Sequence, residues 1–284
     1  MTRTHGWKRR APLVALLALA PLAKAYPTSP AGMVRIPSSS IVLGSSMDEV
    51  IRATLECGQA STTCRLEDFT SEISAEQGVR VRSFFLDRFE ISQADYQGCV
   101  DRARCTRPAS HFGGDLLQGK SLPVVFVDWY QATTFCQQRG ARLPSEAEFE
   151  TASRGATRRY PWGQLFHHRL SNAGSQHAPY TSSRDGVELL APVSAFPQGA
   201  TPLGVYQLAG NVAEWTSSKE SAHGNATKSS AYVVKGGSFS SPPVSHRGAA
   251  RRFAKPGARL ADVGFRCAKD TAPEIRPAES KDQK

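Results

Sequence analysis

The sequence predicts an irregular α+β domain that consists largely of loops, with short strands and a few short helices. Apolar pieces are brief and separated by Gly, Pro, Ser and Asn, and three segments carry the signature of a helix N-terminus. The 284 residues are 40% hydrophobic and 21% charged, a composition that suits a globular chain and excludes collagen, coiled coil and wholesale disorder. No segment repeats at a fixed period, so solenoids and propellers are not expected.

The first predicted strands lie in the N-terminal third of the chain. Residues 33–46 read MVRIPSSSIVLGSS, an apolar stretch interrupted by Pro37 and Gly44 that predicts a short strand and a turn. Residues 79–92 read VRVRSFFLDRFEIS, which alternates and then becomes continuously apolar. This second stretch predicts another strand.

Three short helices follow, and each begins with a capping residue. A side chain that can cap a helix stands three positions before an acidic or amide residue in three places: Ser92 before Asp95, Asp128 before Gln131, and Ser145 before Glu148. Gly140 and Gly155 are placed to end the last two helices in a left-handed turn. Beyond Gly155 the sequence predicts loops and short strands.

The N-terminus has the three parts of a secretory signal peptide. Basic residues precede an apolar run over 11–22, and Ala23-Lys24-Ala25 forms an A-x-A cleavage site. The alternative is a membrane anchor, but the run is shorter than the ~20 residues that a spanning helix needs. We therefore predict a signal peptide over 1–25, no membrane span, and a mature protein that is secreted or periplasmic. The pair Arg9-Arg10 also permits the twin-arginine route, although general secretion is favoured.

Removing this segment changes the interpretation of the net charge. The whole chain carries +10, and residues 1–25 hold five basic residues and no acidic one, which leaves +5. Nucleic acid is therefore not an expected partner. Residues 271–284 mix acids and bases without apolar periodicity and predict a disordered tail. The folded domain is expected over 32–270.

Cysteine usage agrees with export. All six cysteines follow the signal segment, and an even number in an oxidising compartment predicts up to three disulfides. Of the 15 possible connectivities, spacing favours local loops at Cys57–Cys64 and Cys99–Cys105, which leaves Cys136 with Cys267. A metal site is the alternative, but the chain has neither a C-x-x-C nor an H-x-x-x-H pattern.

Bound calcium is a second way to order such a chain. Four residues with side-chain oxygens stand in Gly-rich loops: Asn172, Asp185, Asn211 and Glu214. Calcium takes about 6 to 8 oxygen ligands, which backbone carbonyls can complete. The same residue types commonly form turns. The residues alone leave both interpretations open.

Several segments together resemble the formylglycine-generating enzyme, or sulfatase-modifying factor, family. They include MVRIP at Met33, RLPSEAEFETASRG at Arg142, PLGVYQLAGNVAEW at Pro202, KGGSF at Lys235 and GFRC at Gly264. They occur in the family's order over about residues 32–270. The resemblance implies the family's variant of the C-type-lectin-like fold, an irregular α+β domain, and it implies pairing of Cys136 with Cys267.

The resemblance also implies two structural calcium sites. The first matches the side chains of Asn172 and Asp185 with the carbonyls of Ala173 and Val187. The second matches the backbone around Ala209, Gly210 and Val212 with the side chains of Asn211 and Glu214. Calcium is therefore the expected cofactor.

The chain departs from the family where catalysis is expected. The resemblance implies a cysteine pair shortly after GGS, which binds copper(I) so that oxygen attacks a cysteine of a substrate peptide. Residues 236–253 read GGSFSSPPVSHRGAARRF and contain no cysteine. Since copper(I) prefers thiolate ligands, copper is not expected. Ser238, which matches a family active-site serine, and His246, whose pKa is ordinarily near neutrality, remain weak catalytic candidates, although a lone histidine among arginines is more often structural.

We therefore expect an exported, calcium-stabilised binding protein without copper oxidase activity. Ser238, Arg247, Arg251 and Arg252 are the predicted groove, which would contact carboxylates or sulfates of a peptide, protein or small anionic ligand. The basic run after GGSF consists of Arg247, Arg251, Arg252, Lys255 and Arg259. It is equally consistent with a solvated or internally salt-bridged surface. The alternative function is a tailoring oxidase that works without the cysteine pair, or a residual formylglycine-generating activity, so the sequence leaves open whether the chain is an enzyme.

Overall fold

The computed structural model describes residues 29–60, 64–73, 78–109, 117–174, 185–220 and 230–272. The predicted signal peptide over 1–25 and residues 273–284 of the predicted tail lie outside these ranges. Within them, no helix is both long and apolar enough to cross a membrane.

Nine strands form three small sheets among the described residues. They are β1 Met33–Ile36, β2 Ser39–Val42, β3 Gly78–Val81, β4 Phe84–Asp87, β5 Ala213–Lys219, β6 Tyr232–Lys235, β7 Arg251–Ala254, β8 Val263–Gly264 and β9 Ala268–Asp270. The sheet orders are β1-β4-β9, β2-β3 and β7-β6-β5-β8. Pairs are antiparallel except β5 with β8. Each of the two predicted N-terminal strands is thus two strands, and Pro37, which has no N–H to donate to a sheet, follows the end of β1.

Four α-helices lie among the described residues: α1 Met47–Ala60, α2 Gln93–Asp101, α3 Trp129–Gln138 and α4 Glu146–Arg154. The three predicted caps are confirmed, because Ser92, Asp128 and Ser145 each accept the backbone N–H three residues on. Helix α1 is an addition to the prediction. Its N-terminus is also locally encoded, since Ser46 and Glu49 exchange side-chain-to-backbone hydrogen bonds of 3.2 and 3.1 Å.

The main core lies between α2, α3 and the four-stranded sheet. Trp215 of β5 is fully buried, and its indole N–H donates to the Val127 carbonyl at 3.0 Å. The disulfides are Cys57–Cys64, Cys99–Cys105 and Cys136–Cys267, the pairing that spacing favours. The third bond joins α3 to the segment before β9, so it ties the middle of the chain to its C-terminal part.

Candidate functional site

The loops that precede β5 bring the predicted calcium residues together in two neighbouring groups. In the first group, the carboxylate of Asp185 accepts the backbone N–H of Ala173 at 2.8 Å and that of Val187 at 2.9 Å. Burial raises the pKa of Asp185, and the two N–H donors oppose that rise. This carboxylate thus joins its own loop to Ala173, 12 residues earlier in the chain.

Asn172 and Asn211 connect the first group to the second. The amide of Asn172 donates to Asn211 Oδ1 at 3.0 Å, and the Asn211 backbone N–H donates to the Asn172 carbonyl at 2.9 Å. Gly210 makes this approach possible, because its φ is +90° and a Cβ there would lie 2.3 Å from the Asn172 carbonyl oxygen. The Ala209 carbonyl accepts from the Ser171 hydroxyl at 2.8 Å.

Glu214, the carboxylate of the second predicted calcium site, forms an ion pair with Arg266. Both side chains are fully buried, and the guanidinium donates to the two carboxylate oxygens at 2.6 and 2.7 Å. Arg266 also donates to the carbonyl of Tyr206 at 2.9 Å. A guanidinium therefore supplies the positive charge beside Glu214.

A second carboxyl group, that of Glu90, lies in the same buried cluster. It accepts the Asn211 amide at 2.7 Å and the Val212 backbone N–H at 3.3 Å. Burial raises the pKa of Glu90 well above its usual range, and the charge of Glu214 raises it further. The sequence alone did not single out Glu90 or Arg266. Glu90 lies in FEIS at the end of the stretch 79–92, and Arg266 lies in the segment GFRC at Gly264.

The two groups differ in how well they suit a hard cation. Among the described residues, no cluster of three or more His, Cys, Asp or Glu side chains has a metal-binding arrangement, so calcium would need amide and carbonyl oxygens. The Asp185 group offers such oxygens with one carboxylate. The Glu214 group does not fit as well, because the positive charge of Arg266 already neutralises its carboxylate, whereas the Asp185 carboxylate accepts from uncharged backbone N–H groups. Calcium binding at either group stays a prediction.

The two weak catalytic candidates lie inside the protein. The Ser238 hydroxyl is within hydrogen-bonding distance of Ser240, Ser241 and the Asp262 carboxylate. His246 is fully buried, with Nδ1 2.8 Å from the Ser171 hydroxyl. Burial lowers the pKa of His246 to about 4, so the ring is neutral at pH 7.

The basic run after GGSF is largely paired within the molecule. Arg247 is buried and pairs with Glu72 at 2.8 Å, which places it in the core rather than in a groove. Arg251 pairs with Glu146 at 2.8 Å, and Arg252 with Asp262 at 2.9 Å. Acidic side chains from distant segments thus neutralise three of the arginines, the internally salt-bridged arrangement that the sequence left open.

A cavity of about 220 Å³ nevertheless opens beside this run. Its lining includes Ser241, Ser245, Arg251 and Arg252 on one side and residues of the turn Leu66–Glu72 on the other. The Arg251 side chain is only 7% exposed, and its Nε has no hydrogen-bond partner among the described residues. An unpaired buried donor in a cavity wall is a site where an acceptor from a ligand would be favourable.

Thiol chemistry is absent from this region. All six cysteines of the chain are in disulfides, and the described residues contain no free cysteine. A soft metal such as copper(I) would therefore find no thiolate beside the cavity.

Comparison with known proteins identifies the family. Residues 20–271 match the sulfatase-modifying factor enzyme 1-like domain. The chain belongs to this family. The formylglycine-generating enzyme of Streptomyces coelicolor is 31% identical, with 87% of this chain aligned to 91% of that enzyme. The mouse formylglycine-generating enzyme is 29% identical over 69% of this chain and 68% of its own length.

Another family relative is the inactive C-alpha-formylglycine-generating enzyme 2 of Bos taurus. It is 34% identical over 177 residues, which cover 60% of this chain and 57% of that protein. The chain thus spans little more than half the length of this relative.

Solved structures agree with the predicted fold class. PvdO from Pseudomonas aeruginosa superposes with a TM-score of 0.65 at 22% identity, over 84% of this chain and 94% of that one. CarF gives a TM-score of 0.60 at 18% identity, over 84% and 98%. The fold is the family's irregular α+β variant of the C-type-lectin-like fold, as the sequence predicts.

Proposed function

We propose that this chain is an exported, calcium-stabilised member of the family that binds an anionic ligand and has no copper oxidase activity. The observation that supports the loss of copper oxidase activity is the state of the cysteines. All six are paired in disulfides, and none lies between Gly236 and Phe253. The family resemblance assigns copper to a thiolate pair in that segment. Without thiolates, the serine hydroxyls there are poor ligands for copper(I).

The cavity beside the basic run supports ligand binding. Arg252 has a side chain that is 43% exposed, and the buried Arg251 contributes an Nε without an acceptor among the described residues. Guanidinium groups favour carboxylate and sulfate oxygens. The ligand is therefore an anionic group of a peptide, a protein or a small molecule.

Export and calcium complete the proposal. A signal-like N-terminus and three disulfides favour an oxidising compartment. The Asp185 group supplies a carboxylate that, in the described contacts, accepts only backbone N–H groups, and a carboxylate is a preferred ligand of calcium. One relative is itself described as an inactive formylglycine-generating enzyme, which supports the loss of oxidase activity in this chain.

Co-expression with a sulfatase-derived peptide containing Cys-x-Pro-x-Arg tests the loss of oxidase activity. Mass spectrometry should show that the peptide thiol is unchanged after co-expression with this chain. The formylglycine-generating enzyme from Streptomyces coelicolor is the positive control. Conversion of the thiol to the aldehyde by this chain would contradict the proposal. Metal analysis of the purified protein should find calcium, and a stoichiometric redox metal would instead favour a tailoring oxidase.

Titration with an aspartate-rich peptide tests the ligand. Arg252→Gln should weaken binding by about tenfold or more, because a hydrogen bond to a charged group is lost. Arg169→Gln removes an exposed charge outside the cavity lining and is the matched control. Equal affinities for the two variants would show that the cavity is not the binding site.

A further inference from the structure

A second cavity, of about 390 Å³, lies in a different part of the molecule. It opens between Ala31 and Gly32 at the start of the domain, the segment after β4, and helices α2 and α3. It shares no lining residue with the cavity beside Arg251. Its volume lies in the range of pockets that hold small molecules, which is about 300 to 1,000 Å³.

The walls of this cavity are partly apolar. Ile91 and Phe135 belong to the main core, and Phe89 stands beside them in the lining. Phe89 also packs against Tyr206, with ring centroids 4.9 Å apart. An apolar group placed here would be removed from water, which is favourable in proportion to the apolar surface that it buries.

Two arginines in the lining have no counterion within the described part of the chain. The side chains of Arg102 and Arg104 make neither a hydrogen bond nor an ion pair with any of the residues that the structure describes, and both residues are exposed. The third arginine of the lining, Arg139, already donates to both carboxylate oxygens of Asp87 at 2.7 and 2.8 Å. Arg102 and Arg104 are therefore the guanidinium groups that remain available to a ligand.

The loop that carries these two arginines is held in one conformation. The N–H of Ala103 donates to Val100 at 2.8 Å, and the N–H of Arg104 donates to Cys99 at 3.1 Å. The Cys99–Cys105 disulfide closes the same loop over a separation of six residues. Because the backbone is already ordered, binding a ligand here costs less conformational entropy.

The acidic groups of the lining are already engaged. The Asp87 carboxylate is paired with Arg139, and that of Asp95 is hydrogen-bonded to Ser92 at the start of α2. Glu90 is buried and accepts two hydrogen bonds from the neighbouring loop. Of the acidic groups in the lining, Asp95 keeps a charge without an ion-pair partner among the described residues, so the two arginines give this cavity an excess of positive charge.

We infer that this cavity binds a small organic anion that combines one carboxylate with an apolar body. The carboxylate contacts Arg102 and Arg104, whose planar guanidinium groups match its two oxygens. The apolar body packs against Phe89 and Phe135. The inference is independent of the proposed function, because the two cavities share no residue.

Isothermal titration calorimetry with 3-phenylpropionate tests this site on the full mature chain. The matched uncharged compound is 3-phenylpropionamide, which keeps the apolar body and lacks the carboxylate. We expect the wild-type chain to bind 3-phenylpropionate saturably, with one molecule per chain. The wild type should bind the amide at least about tenfold more weakly, because the amide lacks the charge. Arg102→Gln and Arg104→Gln should each bind 3-phenylpropionate at least about tenfold more weakly than the wild type does.

Arg107→Gln is the control, since Arg107 follows on the same loop, is exposed and does not line the cavity. Its affinity for 3-phenylpropionate should equal that of the wild type. Thermal unfolding verifies that the three variants are folded, which is expected because their side chains are exposed. The inference would be overturned if 3-phenylpropionate did not bind, or if the amide bound as tightly as the carboxylate. It would also be overturned if Arg107→Gln lost as much affinity as Arg102→Gln and Arg104→Gln.

Discussion

Calcium should stabilise this protein through Asp185, whereas Glu214 should contribute stability through Arg266 whether or not calcium is present. The Asp185 carboxylate is partly exposed and accepts only backbone N–H groups in the described contacts. A ligand that binds only the folded state at 100 times its dissociation constant adds about 2.7 kcal/mol to the free energy of unfolding. Asp185→Asn should lose most of that increment and should differ little from wild type in excess chelator.

Glu214→Gln should behave differently. It removes one member of a fully buried bidentate pair and leaves the buried Arg266 guanidinium without the carboxylate to which it is hydrogen-bonded. Breaking such a pair costs about 3 to 5 kcal/mol. Because the cost arises from the guanidinium, it should be the same in calcium and in chelator.

Urea unfolding with the disulfides intact measures both effects, with each variant examined in excess calcium and in excess EDTA. Asp101→Asn, which removes an exposed carboxylate at the end of α2, is the control and should keep the calcium increment. An Asp185→Asn variant that retains the full increment would refute the assignment of calcium to this group. A Glu214→Gln penalty that grows with calcium would show instead that Glu214 is a ligand.

Replacing the Cys136–Cys267 disulfide by two alanines should cost roughly 5 kcal/mol in urea unfolding, because the bond closes a separation of 131 residues. Gly199→Ala should lower the melting temperature sharply, since its Cβ would lie 1.8 Å from a backbone oxygen, while Gly257→Ala, with nothing within 4 Å, should change it little. Because of His246, the free energy of unfolding should fall by roughly 3 kcal/mol as the pH decreases from about 6.5 to about 4. Over this range the ring binds a proton in the unfolded chain, whereas the buried ring, with its pKa of about 4, does not. A His246→Gln variant should show a flatter stability profile over this pH range, and an unchanged slope would contradict the neutral buried ring.

Much of the secondary structure was predictable because it depends on neighbours in sequence. The capping residues of α2, α3 and α4 bond to N–H groups only three positions away, so their side-chain chemistry is sufficient. Helix α1 had the same kind of signal at Ser46 and Glu49. It was harder to recognise because Met47, Ile51 and Leu55 are exposed, so its apolar residues do not lie on a single buried face.

The candidate site was predictable only in part. The loops with Asn172 and Asn211 were found from their composition, and the structure joins them through direct hydrogen bonds. The role of Arg266 was not predictable, because its partner Glu214 is 52 residues away and the pair exists only once β5 and β8 lie side by side.

The fold class, the caps of three helices, the disulfide pairing that spacing favours and the absence of cysteine after GGSF could all be inferred before folding was considered. These features depend on local spacing or on the presence of a residue type. Which charges lack a partner depends on the folded chain. Arg247, Arg251 and Arg252 look alike in a basic run, yet each meets an acidic residue from another segment. Arg102 and Arg104 meet none among the described residues, since charge pairing depends on distances that the folded chain alone establishes.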